Sequence, residues 1–215
     1  MEPLDDAKFS GTKEVAEHLT IEVSNLQPWI DEFVPGAGKI NSIEQFKGGQ
    51  SNPTYKIVTE SKNLVLRRKP PGKLLPSAHA VDREYKVITA LYETDVPVPK
   101  TYGLCEDDEI AGTAFFVMDF LDGDLFWNPM IPSLSNQDRT EIYQNKNKTL
   151  ALLHGVDYKK IGLEDYGKPG NYVARQVARW SKQYRASETD DIEAMNNLID
   201  WLPKNIPDDD ETSIV

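Results

Sequence analysis

A glycine-rich turn early in the chain is the first feature whose residue types could do chemistry. It reads Gly48-Gly49-Gln50-Ser51-Asn52 and lies between two predicted strands. Glycines let backbone N–H groups approach a phosphate closely, and the side chains of Ser51 and Asn52 add further donors. The turn matches neither the P-loop nor the dinucleotide-binding fingerprint, so taken alone it is more typical of an ordinary hairpin than of a phosphate site.

A cation and an acid follow this turn at positions that would suit a bound nucleotide. Arg67 comes directly after the apolar strand residues Leu64 to Leu66, so its permanently charged side chain could hold phosphates. Glu84 lies on a predicted helix, where its carboxylate could pair with Arg67 and fix the direction of the guanidinium. Taken singly, an exposed strand arginine and a solvated helix glutamate explain the two residues at least as well.

An apolar run over residues 115–121 supplies the last feature. It predicts a strand that ends near Met118, Asp119, Phe120 and Leu121, where apolar side chains and backbone groups could border a nucleotide base. A buried strand is the alternative interpretation, and the two are compatible. The order of a glycine turn, a strand cation, a helix acid and a strand end is more specific than any one feature, because kinases position ATP with this layout.

Hydrophobic periodicity predicts the elements that carry these residues. Five segments have the residue types and the flanking turns of strands, namely 42–46, 55–59, 64–68, 101–105 and 113–120. Five others have helical spacing, namely 26–33, 81–91, 135–154, 172–184 and 192–202. Ser24 is the expected N-cap of the first helix, Ser135 and Asp138 form a candidate capping box, and the acidic residues 106–109 are expected to form a turn.

The order of these elements predicts an α+β chain in which a mostly β lobe precedes an α lobe. We expect an N-terminal extension with a short helix over 1–40, a nucleotide-binding N-lobe over 41–123, and a partial helical C-lobe over 124–215. The N-lobe is expected to be a five-stranded antiparallel sheet with one helix.

Charge and composition argue against several classes of function. A net charge of −11 is unfavourable for general binding to nucleic acid or to anionic membranes. The sequence has no run of about 18 apolar residues that could span a membrane, and its start is acidic, so we expect a cytoplasmic location. Cys105 is the single cysteine and is predicted to be a small buried hydrophobe. The three scattered histidines predict no metal site.

Several residue runs together resemble a known family. They are Phe46–Tyr55, Val65–Gly72, Arg83–Tyr85, Val96–Pro99, Leu152–His154 and Arg179-Trp180. They are similar to the motifs of the aminoglycoside phosphotransferase and choline kinase-like superfamily, and within it to the phosphotransferase domain associated with acyl-CoA dehydrogenases. The similarity runs from about Ile43 to the end of the sequence.

This resemblance implies a protein-kinase-like bilobal fold with an incomplete α-helical C-lobe, the use of ATP with Mg²⁺, and transfer of the γ-phosphate to a hydroxyl of a small molecule. A hydroxyacyl-CoA is one candidate acceptor, and an acyl-CoA dehydrogenase domain or neighbour is a candidate partner. By the same resemblance, residues 48–52 would cover the phosphates, and Arg67 would replace the strand lysine of kinases. Glu84 would be its helix partner, and residues 119–121 would form the hinge, with Met118 beside them in the nucleotide site.

The resemblance also predicts which parts of a kinase these residues do not include. In relatives, the segment that corresponds to 210–215 is followed by a His-Gly-Asp-x-x-x-x-Asn catalytic loop and later by a metal-binding aspartate. We therefore expect the 215 residues to contain no catalytic residue and no metal ligand, and to be inactive alone as part of a longer kinase. Asp157 superficially resembles a catalytic-loop aspartate, but it follows a predicted helix and lacks the downstream asparagine.

Two other classes of function stay open. The first is a non-catalytic module that holds a nucleotide or a partner. The second is a purely structural interaction domain, in which the glycine turn and Arg67 are incidental. Tight nucleotide binding that is weakened by substitution of Arg67 or Glu84 would argue against this last class.

Overall fold

An antiparallel sheet is the framework of the N-terminal part of the chain. The computed structural model describes residues 9–48, 51–72, 79–208 and 211–215. The strands are β1 (Thr12–Lys13), β2 (Ile40–Phe46), β3 (Thr54–Thr59), β4 (Asn63–Arg68), β5 (Thr101–Cys105) and β6 (Phe115–Asp119). Their order in the sheet is β1-β2-β3-β4-β6-β5, and every neighbouring pair is antiparallel.

The α+β class predicted from sequence is confirmed, but the predicted number of five strands was wrong by one. The additional strand is β1, which pairs with one end of β2 and places Thr12 opposite Phe46. The Thr12 hydroxyl also donates to a carboxylate oxygen of Glu44 over 2.5 Å. Two residues are too few to show the alternation that identifies a strand in sequence. Pairing with β2 rather than a local pattern therefore defines β1.

Six α-helices occur among the described residues. They are α1 (Val23–Phe33), α2 (Val81–Leu91), α3 (Asp108–Ala111), α4 (Asn136–His154), α5 (Tyr172–Ser187) and α6 (Glu193–Trp201). Two short 3-10 helices, Glu17–Leu19 and Leu202–Lys204, complete the regular structure of that part of the chain. All five predicted helices are present, and α3 is an addition.

Helix α3 occupies part of the acidic segment that the sequence predicted to be a turn. The Asp107 carboxylate accepts a hydrogen bond from the Glu109 N–H over 2.9 Å, which caps the first turn of the helix. Gly112 ends the helix in the left-handed region at φ 81°, where glycine has no Cβ to clash. A capped start and a glycine stop therefore make one helical turn from residues whose charge suggests only a solvated loop.

The predicted caps of two other helices had different outcomes. Ser24 is not the N-cap of α1, because the helix begins at Val23 and Glu22 occupies the cap position without a side-chain hydrogen bond. Ser135 does cap α4, since its hydroxyl accepts from the Asp138 N–H over 3.2 Å and donates to the Asp138 carboxylate over 2.7 Å. A serine one residue from a helix start thus does not by itself fix the start.

The main hydrophobic core lies between α1 and one face of the sheet. Leu26 and Ile30 of α1 are fully buried, and Trp29 meets the Phe115 ring edge-on at a centroid distance of 5.0 Å. The buried sheet residues of this core include Tyr55, Ile57, Leu64, Leu66 and Val117. Each such side chain contributes about 1.5–3 kcal/mol by leaving water. The N-terminal extension therefore covers one face of the sheet, so a ligand site on the sheet would have to use the opposite face.

Cys105 ends β5 inside this core. Its thiol is free and buried, and burial is the main cause that raises its pKa. A raised pKa keeps the thiol protonated at neutral pH and therefore unreactive. This observation agrees with the structural role predicted for Cys105.

The chain divides into two compact units, Met1–Leu152 and Leu153–Val215. The first unit contains the sheet and α1 to α3. In the second, the described residues of α5 and α6 include none that is buried. No described helix is long and apolar enough to cross a membrane. The predicted domain limits at 40 and 123 stay predictions.

Candidate nucleotide-binding site

The two arginines of β4 lie on opposite faces of the sheet. Arg67 is directly opposite Thr54 of β3 and Phe116 of β6. Directly paired residues share a face, and alternate residues of one strand do too. The face that carries Arg67, here called the Arg67 face, comprises Thr54, Lys56, Val65, Arg67, Phe116 and Met118. The opposite side, the Arg68 face, comprises Tyr55, Ile57, Leu64, Leu66, Arg68, Phe115 and Val117.

The structure brings together the predicted pair of Arg67 and Glu84. The Arg67 Nε donates to Glu84 Oε2, and Nη2 donates to Oε1 over 3.3 Å. The remaining terminal nitrogen, Nη1, donates to the Thr54 hydroxyl over 3.0 Å. The two side chains of the ion pair are 30% and 35% exposed, so the pair contributes about 1 kcal/mol or less to stability. Its main effect is to fix the direction of the guanidinium.

Pairing with Glu84 does not exhaust the hydrogen-bonding capacity of Arg67. A guanidinium has five N–H groups, of which the contacts to Glu84 and Thr54 use three. One N–H on each terminal nitrogen has no partner among the residues that the structure describes. Two parallel N–H groups suit a phosphate. A lysine at this position would have to use its single ammonium both to pair with Glu84 and to contact a phosphate.

Asn52 joins the end of the glycine-rich turn to this pair. It is only 6% exposed. Its amide nitrogen donates to Glu84 Oε1 over 2.9 Å, and its amide oxygen lies 2.8 Å from His79 Nδ1. The sequence suggested that Asn52 donates to a phosphate, whereas here its amide contacts other side chains of the protein.

The rest of the glycine-rich turn is described only in part. Gly49 and Gln50 lie outside the described residues, and Ser51 is exposed. A Cβ built on Gly48 would lie 2.9 Å from Cζ2 of Trp127 and 3.2 Å from the Phe9 carbonyl oxygen. The Phe9 ring in turn packs on the Trp127 ring at a centroid distance of 4.8 Å. Gly48 therefore allows an indole to lie directly against the turn.

The three predicted hinge residues and Met118, which was predicted to border the nucleotide with them, do not share one direction. Met118 is on the Arg67 face, opposite Val65. Phe120 follows on the same side, where its ring stacks on Phe46 at 6.3 Å. Leu121 is largely exposed. The Asp119 carboxylate points away from this face, because it accepts from the Tyr102 hydroxyl over 2.6 Å.

Lys56 is a cation of the Arg67 face that the sequence analysis did not single out. Its ammonium lies 4.9 Å from the centroid of the Phe120 ring. Within the described residues no carboxylate comes within 4.0 Å of it. The alternation of Tyr55-Lys56-Ile57 was the available signal, because it puts the lysine on the face opposite two buried apolar residues.

Arg68 was also missed, and it has a different environment. It is 3% exposed, and its terminal nitrogens donate to the carbonyl oxygens of Ala111 and Leu19, the latter over 2.9 Å. Its guanidinium lies 5.3 Å from the centroid of the Tyr55 ring, and the Tyr55 hydroxyl donates to the same Leu19 oxygen over 3.0 Å. Burial raises the pKa of Tyr55 in spite of the nearby cation. No local pattern separates this arginine from Arg67.

Asp157, the superficial match to a catalytic aspartate, caps a turn. Its carboxylate accepts from the backbone N–H groups of Lys159 and Lys160 over 3.2 and 3.3 Å. The hydrogen bond from Lys160 is the main cause that lowers its pKa, which makes the carboxylate a weaker base. In the described part of the chain, no three His, Cys, Asp or Glu side chains are grouped as a metal site would require.

Comparison with solved structures defines the class of protein. A crystal structure of a Ralstonia eutropha JMP134 protein named as an aminoglycoside phosphotransferase is 48% identical and superposes with a TM-score of 0.76, covering 89% of this chain and 55% of that one. The ternary complex of APH(2″)-IIa with streptomycin and ATP has a TM-score of 0.54 at 14% identity, covering 84% and 56% of the two chains. The fold is thus the kinase-like fold of aminoglycoside phosphotransferases.

The family follows from the sequence comparison. Residues 42–215 match the phosphotransferase enzyme family, APH, and the chain belongs to that family. It is 47% identical over 206 residues to acyl-CoA dehydrogenase family member 10 of Mus musculus, and the aligned region covers 95% of this chain and 19% of that protein. The chain spans between 19% and 27% of the length of the curated relatives it matches.

Proposed function

We propose that this chain is the nucleotide-binding part of an ATP-dependent phosphotransferase that transfers the γ-phosphate to a hydroxyl of a small molecule. The observation that carries the proposal is the geometry of Arg67. Glu84 and Thr54 hold its guanidinium on one face of the sheet, beside the end of the glycine-rich turn, with two N–H groups left for a ligand. Family membership makes phosphate transfer the natural use of this arrangement.

In this proposal, the predicted site residues divide along the nucleotide. Backbone N–H groups of Gly48, Gly49, Gln50 and Ser51 cover the phosphates, and Arg67 binds them from the strand. Met118 and Phe120 border the base on the Arg67 face, while Asp119 and Leu121 contribute only their backbone. Lys56 lies over Phe120, so we assign it to the same end of the site as the base.

The proposal of ATP as the nucleotide and the proposal of the acceptor are supported by different comparisons. ATP is proposed because an enzyme of the same fold is named in a complex with it. For the acceptor, the similarity to an acyl-CoA dehydrogenase family member favours a hydroxyacyl-CoA, with an acyl-CoA dehydrogenase domain or neighbour as partner.

We further propose that the 215 residues bind ATP but do not transfer phosphate alone. Mg²⁺ is expected in the reaction, where kinases hold it with one or two protein ligands together with the nucleotide phosphates. Asp157 is a poor candidate base, because its carboxylate is engaged by two backbone N–H groups. We propose no described residue as a metal ligand or as the catalytic base.

Isothermal titration with ATP, with and without Mg²⁺, tests the binding step. We expect Arg67→Ala to weaken ATP binding about 30-fold, because charge-assisted hydrogen bonds contribute about 2 kcal/mol. Glu84→Ala should weaken it about tenfold, because the guanidinium loses its fixed direction. Lys86→Ala is the matched control, since this exposed lysine of α2 carries the same charge as Arg67. No ATP binding by the wild-type chain, or an equal loss in the control, would contradict the proposal.

The alternative function is a non-catalytic module that binds a nucleotide or a partner. The turn-capping role of Asp157 is the observation that favours it. Sequencing the gene beyond the codon for Val215 discriminates between the two functions. A following His-Gly-Asp-x-x-x-x-Asn segment would support the kinase, and phosphate transfer from radiolabelled ATP to a hydroxyacyl-CoA would then be measured. A stop codon there would favour the binding module.

A further inference from the structure

We propose that Asn52 is a positioning residue that fastens the end of the glycine-rich turn to the Arg67–Glu84 pair. The contacts of Asn52 do not depend on the proposed function, but their consequence does. That consequence is a fixed spacing between the two groups of phosphate donors, which are the backbone N–H groups of the glycine-rich turn and the guanidinium of Arg67. Asn52 itself would not contact the nucleotide. Its amide contacts Glu84 and His79 instead.

The contacts form a closed ring of four residues. The Asn52 amide nitrogen donates to Glu84, and Glu84 accepts from Arg67. Arg67 donates to the Thr54 hydroxyl, and that hydroxyl donates to the backbone carbonyl of Asn52 over 3.1 Å. The ring connects the turn, α2, β4 and β3. Because each contact limits the positions that the other side chains can adopt, loss of one member should loosen the rest.

The direction of each hydrogen bond follows from the carboxylate of Glu84. A carboxylate only accepts, so the Asn52 group that faces it must be the NH₂ group. The Asn52 oxygen then faces His79, and His79 must carry a hydrogen on Nδ1 to donate to it over 2.8 Å. The Glu84 carboxylate therefore fixes which way the Asn52 amide faces, and His79 contacts the amide oxygen on the other side.

The backbone of His79 supports a constrained role for this residue. His79 has a φ of 59°, a left-handed conformation that costs a non-glycine residue about 1 kcal/mol or more. Its carbonyl accepts from the Val81 N–H at the start of α2 over 2.9 Å. The strain is thus located where the imidazole must reach from the beginning of α2 to Asn52.

The test measures ATP affinity and Arg67 geometry in the same variants. Asn52→Ala should raise the Kd for ATP about tenfold. Asn52→Asp should raise it at least as much, because a carboxylate of the same size then faces Glu84. Thr59→Val is the matched control, since it also removes a hydrogen bond of a buried polar side chain. The Thr59 hydroxyl donates to the Lys62 carbonyl over 2.8 Å at the far end of the β3–β4 hairpin. This control substitution should lower stability without changing the Kd.

A double variant tests whether Asn52 acts through Glu84. If it does, Asn52→Ala should add little to the loss of ATP affinity already caused by Glu84→Ala. Independent, additive losses would overturn the positioning role. So would an Asn52→Asp chain that binds ATP as the wild type does.

A readout that needs no nucleotide separates this inference from the proposed function. In the wild type, contact with Glu84 should slow the exchange of the Arg67 Nε–H, which NMR measures directly. Asn52→Ala should accelerate this exchange several-fold, and Thr59→Val should not. If Asn52→Ala accelerates this exchange but the wild-type chain does not bind ATP, the proposed function is wrong and the positioning role of Asn52 is retained. If Asn52→Ala leaves the exchange unchanged, the positioning role is wrong, whether or not ATP binds.

Discussion

Arg67 and Arg68 are neighbours in β4, and the two faces of the sheet treat their charges differently. On the Arg67 face, the arginine side chain is 30% exposed, is paired with a carboxylate and keeps N–H groups free of described partners. On the Arg68 face, the arginine residue as a whole is 3% exposed, and its guanidinium meets two backbone carbonyls and the Tyr55 ring. The first arrangement leaves a directed charge at the surface for a ligand, and the second joins separate segments of the fold.

The partners of Arg68 explain how a buried cation is tolerated although no carboxylate of the described residues pairs with it. Leu19 and Ala111 are the last residues of two short helices, whose terminal carbonyls have no partner within the helix and carry partial negative charge. The electron-rich face of Tyr55 adds a further favourable contact. Arg68 thereby pairs with the terminal carbonyl of α3 and shares the Leu19 carbonyl with the Tyr55 hydroxyl.

The largest effect that tests this comparison should come from Arg68→Ala. We expect the free energy of unfolding to fall by about 4 kcal/mol, because the substitution leaves a cavity and an unpaired Ala111 carbonyl, and leaves the Leu19 carbonyl with the Tyr55 hydroxyl as its one remaining donor. Urea denaturation followed by circular dichroism measures the change. A loss below about 1 kcal/mol would mean that the fold does not depend on this cation.

Tyr55→Phe sharpens the comparison on the same face. The hydroxyl that it removes shares the Leu19 carbonyl with Arg68, so one donor remains and the free energy of unfolding should fall by about 1 kcal/mol. The same denaturation experiment measures it. If Tyr55→Phe were as damaging as Arg68→Ala, the ring hydroxyl rather than the cation would hold the Leu19 carbonyl.

Arg67→Ala should have a smaller effect on stability, although it should have a large one on ATP binding. The partly exposed ion pair contributes about 1 kcal/mol or less to the free energy of unfolding. A loss as large as that of Arg68→Ala would break the distinction between a charge directed at a ligand and one that holds the fold together.

Tyr102→Phe should give the smallest effect and a dependence on pH. Burial, with the hydrogen bond to Asp119 as the second cause, raises the pKa of Tyr102 from 10.0 to about 12. A folded-state pKa above the unfolded value means that the stabilisation is present below about pH 10 and is lost as the pH rises to about 12. Unfolding at pH 9 and 11 should therefore differ more for the wild type than for the variant. An equal difference would show that Tyr102 ionises with its ordinary pKa.

The Arg67–Glu84 contact could be foreseen because local patterns place both residues. The apolar run Leu64 to Leu66 puts Arg67 in a strand, and helical spacing puts Glu84 on the following helix, so only the packing of α2 on the sheet had to be assumed. The Asn52 contacts could not be foreseen. They depend on the conformation of His79, whose positive φ has no signature in a histidine.

Contacts between distant segments account for most of what the sequence did not reveal. The carbonyl partners of Arg68 lie 43 and 49 residues away, and no periodicity connects them to β4. The contact between Gly48 and Trp127 is also between distant segments. The pair Gly48-Gly49 predicts a turn, but it does not predict which side chain packs against Gly48. Strand β1 is a third case, because a strand of two residues is too short to show a hydrophobic pattern.

The buried thiol of Cys105 has a practical consequence for measuring how the sheet opens. It is the single cysteine of the chain, and it lies at the end of β5, an edge strand. Alkylation requires an accessible thiolate, so labelling at neutral pH must wait for a local opening of that edge. The labelling rate therefore counts opening events, and its acceleration in a variant gives the change in opening free energy at one known residue. Any cysteine introduced on the surface would react first, which makes the wild-type background suitable for attaching a single probe.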